Sequence, residues 1–306
     1  MISGLSDRLR AIFEENVGEG FRLMLFSTFF FGMANLCVKQ ISHVPPMEIV
    51  LIRCLMGICF SWWGLRGIGV NWRGNDRLSL LLRGLFGTTA LGLFFVTVQN
   101  MPIATAMTVH YLSPIFTAIL AMVILKESVA RFQWLFYALA FSGVVLIERV
   151  DTKVDILFVV LGILAALFSG VAYNLVRKLR STEHPMTVVL HFQFFGALGG
   201  LIFLLFNGWS NPTGFDWIFL IVIGIASQLG QVFLTKALQR ETASSVVIAS
   251  YTGLFYAIVF GWLFFGESYD YLTLLGMGLV VLGVVSSVLY SSNKRRRDEQ
   301  LELTVA

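Results

Sequence analysis

The sequence predicts an all-α membrane protein of ten transmembrane helices, arranged as two inverted five-helix repeats. Three observations predict it. Of 306 residues, 57% are hydrophobic and only 13% are charged, where a soluble domain carries about 25% charged residues. Ten stretches are apolar over about the 20 residues that a helix needs to cross a bilayer. A pattern that starts at Tyr111 returns about 140 positions later, at Tyr251.

The composition excludes several classes. With 28 Phe and a mean hydropathy of +0.80, this is not the balance of a soluble core. The net charge of +4 comes from basic residues scattered between apolar runs, so no nucleic-acid patch is expected. Cys37, Cys54 and Cys59 all fall inside apolar runs, which predicts buried thiols and no disulfide framework. The first twenty residues are polar and lack an apolar core followed by a cleavage site, so no secretory signal peptide is expected.

The ten predicted spans are 20–40, 46–66, 79–99, 104–125, 132–150, 154–176, 186–206, 215–238, 243–265 and 271–291. The separators carry helix breakers: Pro45-Pro46, Asn100 with Pro102, Pro185, and Asn211-Pro212-Thr213-Gly214. A β-barrel would need ten-residue alternations of polar and apolar positions, and these runs are apolar throughout. An even span count puts both termini on one side. That side collects 18 of the 22 Lys and Arg residues and the other collects Lys39, Arg149 and Lys153, with Arg53 inside a span. The bias places both termini in the cytoplasm. Short loops and the lack of an N-x-S/T acceptor fit a bacterial inner membrane. Segment 1–19 is read as cytoplasmic, either an amphipathic surface helix with Leu5, Leu9, Ile12, Phe13 and Val17 on one face, or a polar tail. Segment 292–306 is a basic cytoplasmic tail whose Lys294–Arg297 run touches anionic headgroups.

The repeat is read from paired markers. YLSPIFTAILAMVILKES at 111–128 and YTGLFYAIVFGWLFFGES at 251–268 share Tyr, Glu and Ser at matched places. Leu135, Leu139 and Gly143 return as Leu275, Leu279 and Gly283. Asn35, Lys39 and Pro46 return as Asn174, Lys178 and Pro185 at an offset of 139. The competing reading is that any two membrane helices look alike. Five spans per copy invert the second copy relative to the first, which divides the chain into repeats at 20–150 and 151–291. Inverted repeats are a signature of secondary transporters, because two upended copies give two nearly equal states, outward-open and inward-open.

The five-plus-five layout, FFFGMANLCVKQ at 29–40, RGLFGTTALGLFF at 83–95 and the two Glu-Ser helices resemble the EamA-type carriers of the drug/metabolite transporter superfamily over residues 20–290. The resemblance implies a central cavity lined mainly by spans 1–4 and 6–9, and substrates among amino acids, S-adenosylmethionine, organic anions and other metabolites. One departure stands out: Gly253-Leu254 replaces Ser113-Pro114, so Pro114 is expected to bend the first-half helix and any kink is expected to be asymmetric.

An ionisable group deep in a bilayer costs about 2.5–3.5 kcal/mol on insertion scales, so Arg53, His110 and His191 are site candidates or satisfied structural groups. Glu48 is the acid nearest to Arg53 in sequence, at a poor helical spacing. Lys39 and Lys236 sit near span ends and are expected to snorkel. The candidate substrate-binding set is Asn35, Arg53, His110, Tyr111, Asn174, Gln228, Gln231, Tyr251 and Tyr256. For each, packing or helix–helix bonding is the alternative role. His184 and His191 lack an acid or Cys to complete a metal set. No catalytic residues, metal or cofactor are expected.

No Asp or Glu falls near the middle of a span. The expectation is therefore a secondary transporter, working by alternating access, for a small anionic or zwitterionic metabolite such as an amino acid, carboxylate or nucleotide-like compound. Membrane lipids are the other expected partner, and the chain is expected as a monomer or weak homodimer. The alternatives are an intramembrane enzyme, for which no HExxH, GxSxG or acidic dyad is present, and a non-transporting membrane regulator. No Walker A loop is present either.

Overall fold

The computed structural model describes residues 19–124, 131–150, 155–240 and 249–305, without the side chains of 148–150, 288 and 291–305. The N-terminal surface helix and the first Glu-Ser pair, Glu127-Ser128, lie outside the described residues, as do the side chains of the basic tail.

Every described element is helical. The order is α1 (Glu19–Gln40), α2 (Pro46–Ile68), α3 (Arg77–Asn100), α4 (Ile103–His110), α5 (Ser113–Ile124), α6 (Gln133–Val150), α7 (Ile156–Lys178), a 3₁₀ turn (Leu179–Ser181), α8 (Pro185–Asn207), α9 (Gly214–Arg240), α10 (Thr252–Phe265) and α11 (Tyr271–Val305). Seven segments are long and apolar enough to cross a membrane, with α4 and α5 together forming one of them. Three apolar helical segments are shorter: Gln133–Ile147, Thr252–Phe265 and Tyr271–Ser287. Residues 241–248, the start of one predicted span, lie outside the described set.

Local chemistry sets the ends. Pro46 and Pro185 open α2 and α8 at the first helical turn, where a missing N–H costs nothing. Asp76 caps α3 by accepting from the Ser79 amide at 3.1 Å, and the bonds from Ser79 hold its carboxyl below the usual range. Gly69 ends α2 with φ of 68°, a conformation that favours glycine. The outward surface is apolar: Phe206 is 85% exposed and Trp63 and Phe215 are each 78% exposed, as a lipid-facing helix requires.

Four helix pairs pack along their lengths: α1 on α9, α3 on α7, α2 on α8, and α6 on α11. Glycine permits the closest crossings. A Cβ on Gly200 of α8 would lie 2.6 Å from Leu51 Cβ and 2.8 Å from the Met47 carbonyl of α2. On α6, a Cβ on Gly143 would meet Gly276 O at 2.5 Å and Val280 N at 2.9 Å. On α11, a Cβ on Gly283 would meet Phe136 O at 2.6 Å and Ala140 N at 2.7 Å. These last two crossings are each other shifted by 140 positions. The echoed Leu135 and Leu275 instead face outward, 61% and 43% exposed.

Loops are fastened at both ends of the bundle. At one end the Glu183 carboxylate accepts from the Asn75 amide and, at 2.7 Å, from the Asp76 amide, while Thr187 donates to the Asn71 carbonyl. At the opposite end of α2, Glu48 accepts from the Ser210 amide at 3.1 Å and hydroxyl at 2.9 Å, and His43 Nε2 lies 3.1 Å from Asp216. Lys39 does not snorkel: it pairs with Glu267 and donates to the Met101 carbonyl at 2.9 Å.

Two further features stand apart from the sequence reading. The helix is broken in both halves. The fourth apolar segment breaks between His110 and Ser113, and a turn at Tyr251 precedes α10 in the second half as well. Proline is dispensable there because Tyr111 donates its hydroxyl to the Ser250 carbonyl at 2.8 Å, across a position where Gly253 leaves room; a Cβ there would lie 2.6 Å from Tyr111 Oη. The thiols also differ from expectation: Cys37 and Cys54 are buried, but Cys59 is exposed. A run that is apolar on every face does not tell which face turns inward.

Gly143→Val is expected to cost about 1–3 kcal/mol by overpacking against backbone, read as a lower melting temperature in detergent. Gly278→Ala, which meets nothing within 4 Å, is expected to leave that temperature unchanged. Glu183→Ala is expected to speed amide hydrogen exchange in residues 69–76 and not in 208–216, and Glu48→Ala to do the reverse.

Candidate substrate site

The candidate residues fall into two adjoining polar groups inside an otherwise apolar bundle. The first surrounds the two helix breaks. Tyr111 and Tyr251 bring their rings to 4.7 Å between centroids. Thr28 of α1 shares a 2.8 Å hydrogen bond with Thr252. Asn35, 4% exposed, donates Nδ2 to the Met107 sulfur at 3.3 Å. The His110 ring lies tilted against Phe94, 4.5 Å between centroids, and its Nδ1 is buried without a partner, as is the Tyr251 hydroxyl.

The second group lies between α2, α3 and α8. Arg53 is 2% exposed, with its guanidinium 5.8 Å from the rings of both Phe95 and Phe192. Glu48 is not its partner, because that carboxylate is engaged by Ser210. Arg83 is 3% exposed, and its guanidinium lies 4.6 Å from the same Phe192 ring. Gly87 makes room for it, since a Cβ there would clash with the guanidinium. Beside them runs a chain of amides: Gln193 Nε2 donates to Gln228 Oε1 at 2.8 Å, and Gln228 Nε2 donates to Ser61 at 2.8 Å. Phe94 and Phe95, 6.5 Å apart on α3, stand between the two groups.

The remaining candidates are placed differently. Asn174 is fully buried and spends Nδ2 on the carbonyls of Thr117, at 2.8 Å, and Gly170, at 3.1 Å. It joins α7 to α5, with Oδ1 left without a partner. Gln231 bonds along its own helix to Thr235 at 3.3 Å. Tyr256 packs among Phe29, Phe255 and Phe260, over Gly32. Its contacts are aromatic rather than polar.

Sequence reasoning missed Arg83, which reads as a loop-proximal cation six residues after Arg77. It also missed Gln193 and Thr88, whose Oγ1 is buried without a partner. Gly87, one turn after Arg83, was the signal available, because a glycine there frees space for a long side chain to fold inward. A cleft of about 660 Å³ opens at the Glu183 end, lined by Gly64, Arg180, His184, Lys236 and Arg240 among others. Burial, followed by Lys236, holds the His184 imidazole below its usual range.

Among the described residues, the carboxylates all sit at helix ends or in loops with partners of their own: Glu19 with Arg240, Glu48 with Ser210, Glu183 with Asn75, Asp216 with Thr213, Glu267 with Lys39 and Asp270 with Thr273. Asp76 and Asp155 serve as helix caps. Among the described side chains, no carboxylate is therefore left to pair with the two buried arginines.

The sequence matches the EamA-like transporter family in two stretches, 19–149 and 156–289. It is 30% identical to the pseudopaline exporter CntI of Pseudomonas aeruginosa, over 87% of this chain and 95% of that protein. It is 31% identical to human solute carrier family 35 member G1, over 90% of this chain and 81% of that protein. The S-adenosylmethionine uptake transporter of Rickettsia felis is 26% identical over 70% of this chain and 72% of its own length. A crystal structure at 15% identity aligns with a TM-score of 0.69 over 90% of this chain and 99% of its own, a likeness of fold alone. Helical architecture, a polar interior and two matched stretches agree, and the chain belongs to the EamA-like transporter family, within the drug/metabolite transporter superfamily.

Proposed function

We propose that this protein is a secondary carrier of a small anionic or zwitterionic metabolite and works by alternating access. The observation that carries the reading is Arg53: a buried guanidinium, with Nε and Nη2 lacking hydrogen-bond partners, in an interior without carboxylates among the described residues. A buried cation without a partner is costly, and a carrier recovers that cost when its substrate supplies the negative group.

Two five-helix repeats, at 20–150 and 151–291, are the architecture proposed for the transport cycle. The paired helix contacts support it. Exchanging the halves carries the α1–α9 pair onto the α7–α3 pair, and leaves α2–α8 and α6–α11 in place. The 140-residue relation between the Gly143 and Gly283 crossings supports it too. Repeats of opposite orientation give the same contacts to two states of the carrier, one open to each side. The loop ties at the two ends of α2 would then close one mouth each. The crowd of Arg66, Arg73, Arg177, Arg180 and Arg240 near one end favours that end as cytoplasmic. The reading proposed here has both termini in the cytoplasm and the bundle in a bacterial inner membrane, as a monomer or weak homodimer. Direction of net flow is not inherited, because the relatives include an exporter and an uptake transporter.

The test is flux into proteoliposomes from a panel of radiolabelled amino acids, carboxylates and nucleotides. At least one is expected to enter faster than into empty liposomes and to be recovered unchanged. Arg53→Ala is expected to reduce its flux about ten- to hundredfold at low concentration, as the loss of one charged hydrogen bond of about 1.5–3 kcal/mol implies. No flux for any solute would favour a regulator, and chemically altered solute would favour an enzyme.

A further inference from the structure

Arg53 is not the only unpaired cation in the interior. Arg53 on α2 and Arg83 on α3 approach one ring, Phe192 of α8, at 5.8 Å and 4.6 Å. Both side chains are nearly fully buried, and Nε and Nη2 of Arg53 and Nε of Arg83 meet no acceptor. The described carboxylates that might neutralise them are engaged elsewhere, at helix ends and loops. Two like charges, desolvated and adjacent, are opposed by both burial and repulsion. A single monoanion leaves one of them uncompensated. A ligand with two negative charges compensates both, and the guanidinium fork matches carboxylate and phosphate oxygens alike.

The neutral groups around them narrow the ligand further. Thr88, one residue beyond the glycine that houses Arg83, holds a buried hydroxyl without a partner. Gln193, the residue after Phe192, packs against Gly57, one turn along α2 from Arg53. Its Nε2 is committed to Gln228, which orients the amide, and its Oε1 accepts nothing. An oriented carbonyl without a donor fits a hydroxyl or ammonium group on the ligand.

We propose that Arg53, Arg83, Thr88 and Gln193 form a subsite for a dianion, either two carboxylates on a short skeleton or one phosphate group, that also carries a hydroxyl or amino donor. The site rests on the carrier reading for its purpose, while its affinity is tested independently of transport.

The experiment is thermal unfolding of the purified protein in detergent at matched ionic strength. The probes are succinate, malate, inorganic phosphate and the monoanion butyrate. Malate or phosphate is expected to raise the wild-type melting temperature more than butyrate does, and malate more than succinate because of its hydroxyl. Which of malate and phosphate acts more strongly identifies the dicarboxylate or the phosphate form. Without added anion, Arg53→Met and Arg83→Met are expected to melt at or above the wild-type temperature, since each removes an uncompensated buried charge. A packing role for the arginines would lower it instead. Both variants are expected to lose most of the anion-dependent shift. Gly87→Val, which keeps both charges but displaces Arg83, is expected to lose it as well.

Wild-type protein that responds to no dianion more than to butyrate would overturn the proposal, as would Met variants that keep the full shift. The carrier reading stands or falls separately. Flux of a zwitterion that depends on Arg53, with no dianion response, would sink the dianion site and keep the carrier. A dianion shift lost in the Met variants, with no flux of any solute, would keep the site and sink the carrier.

Discussion

A guanidinium group buried in a helical bundle surrounded by hydrocarbon must be given negative charge, because neither water nor lipid tails can solvate it. That requirement organises the interior of this protein. Arg53 and Arg83 are held by helices whose apolar faces leave them no route to the surface. The described carboxylates are engaged in loop ties and helix caps at the ends of the bundle. The two signs of charge are separated in this way, with arginines inside and the described carboxylates at the ends, which is the arrangement the proposed anion site draws on.

The same economy of polar groups governs the backbone. Breaking a helix inside a membrane exposes carbonyls that must find donors. At the second break the donor is the hydroxyl of Tyr111, from the matching position in the first half of the chain, so one half satisfies the irregular backbone of the other. Close crossings follow a related rule. Without a hydrophobic drive between helices in lipid, association depends on backbones approaching closely, and small residues allow it. Gly143, Gly200 and Gly283 occupy such crossings.

Helix positions were legible in the sequence because hydropathy alone reports them: the predicted 46–66 and 186–206 correspond to Pro46–Ile68 and Pro185–Asn207. Arg53 was legible as a candidate because seven residues of α2 separate it from the helix start. Arg83 was not. Its distance from the start of α3 also permits an outward reach, and its burial depends on Gly87 and on Phe192, more than a hundred residues away. Asn174 reads in the sequence as a candidate cavity wall; it is fully buried, and its bond to Thr117 joins two helices. Residue type and depth do not distinguish such a joint from a cavity wall. The break at Tyr251 has no proline to mark it, and the donor that meets the Ser250 carbonyl beside it comes from across the bundle.

Helix α2 is fastened close to both of its ends, by Glu48 to Ser210 and through Asn71 and the Asp76 amide to Thr187 and Glu183. Mechanically it is a lever with two interchangeable fulcrums. At 1.5 Å per residue, Arg53 sits about 7 Å from the Glu48 pivot and about 22 Å from the Ile68 end. The same small tilt therefore swings the guanidinium roughly three times as far when the near fastening opens as when the far one does. Unfastening the two ends is not mechanically equivalent, even in a bundle whose halves mirror each other in contact.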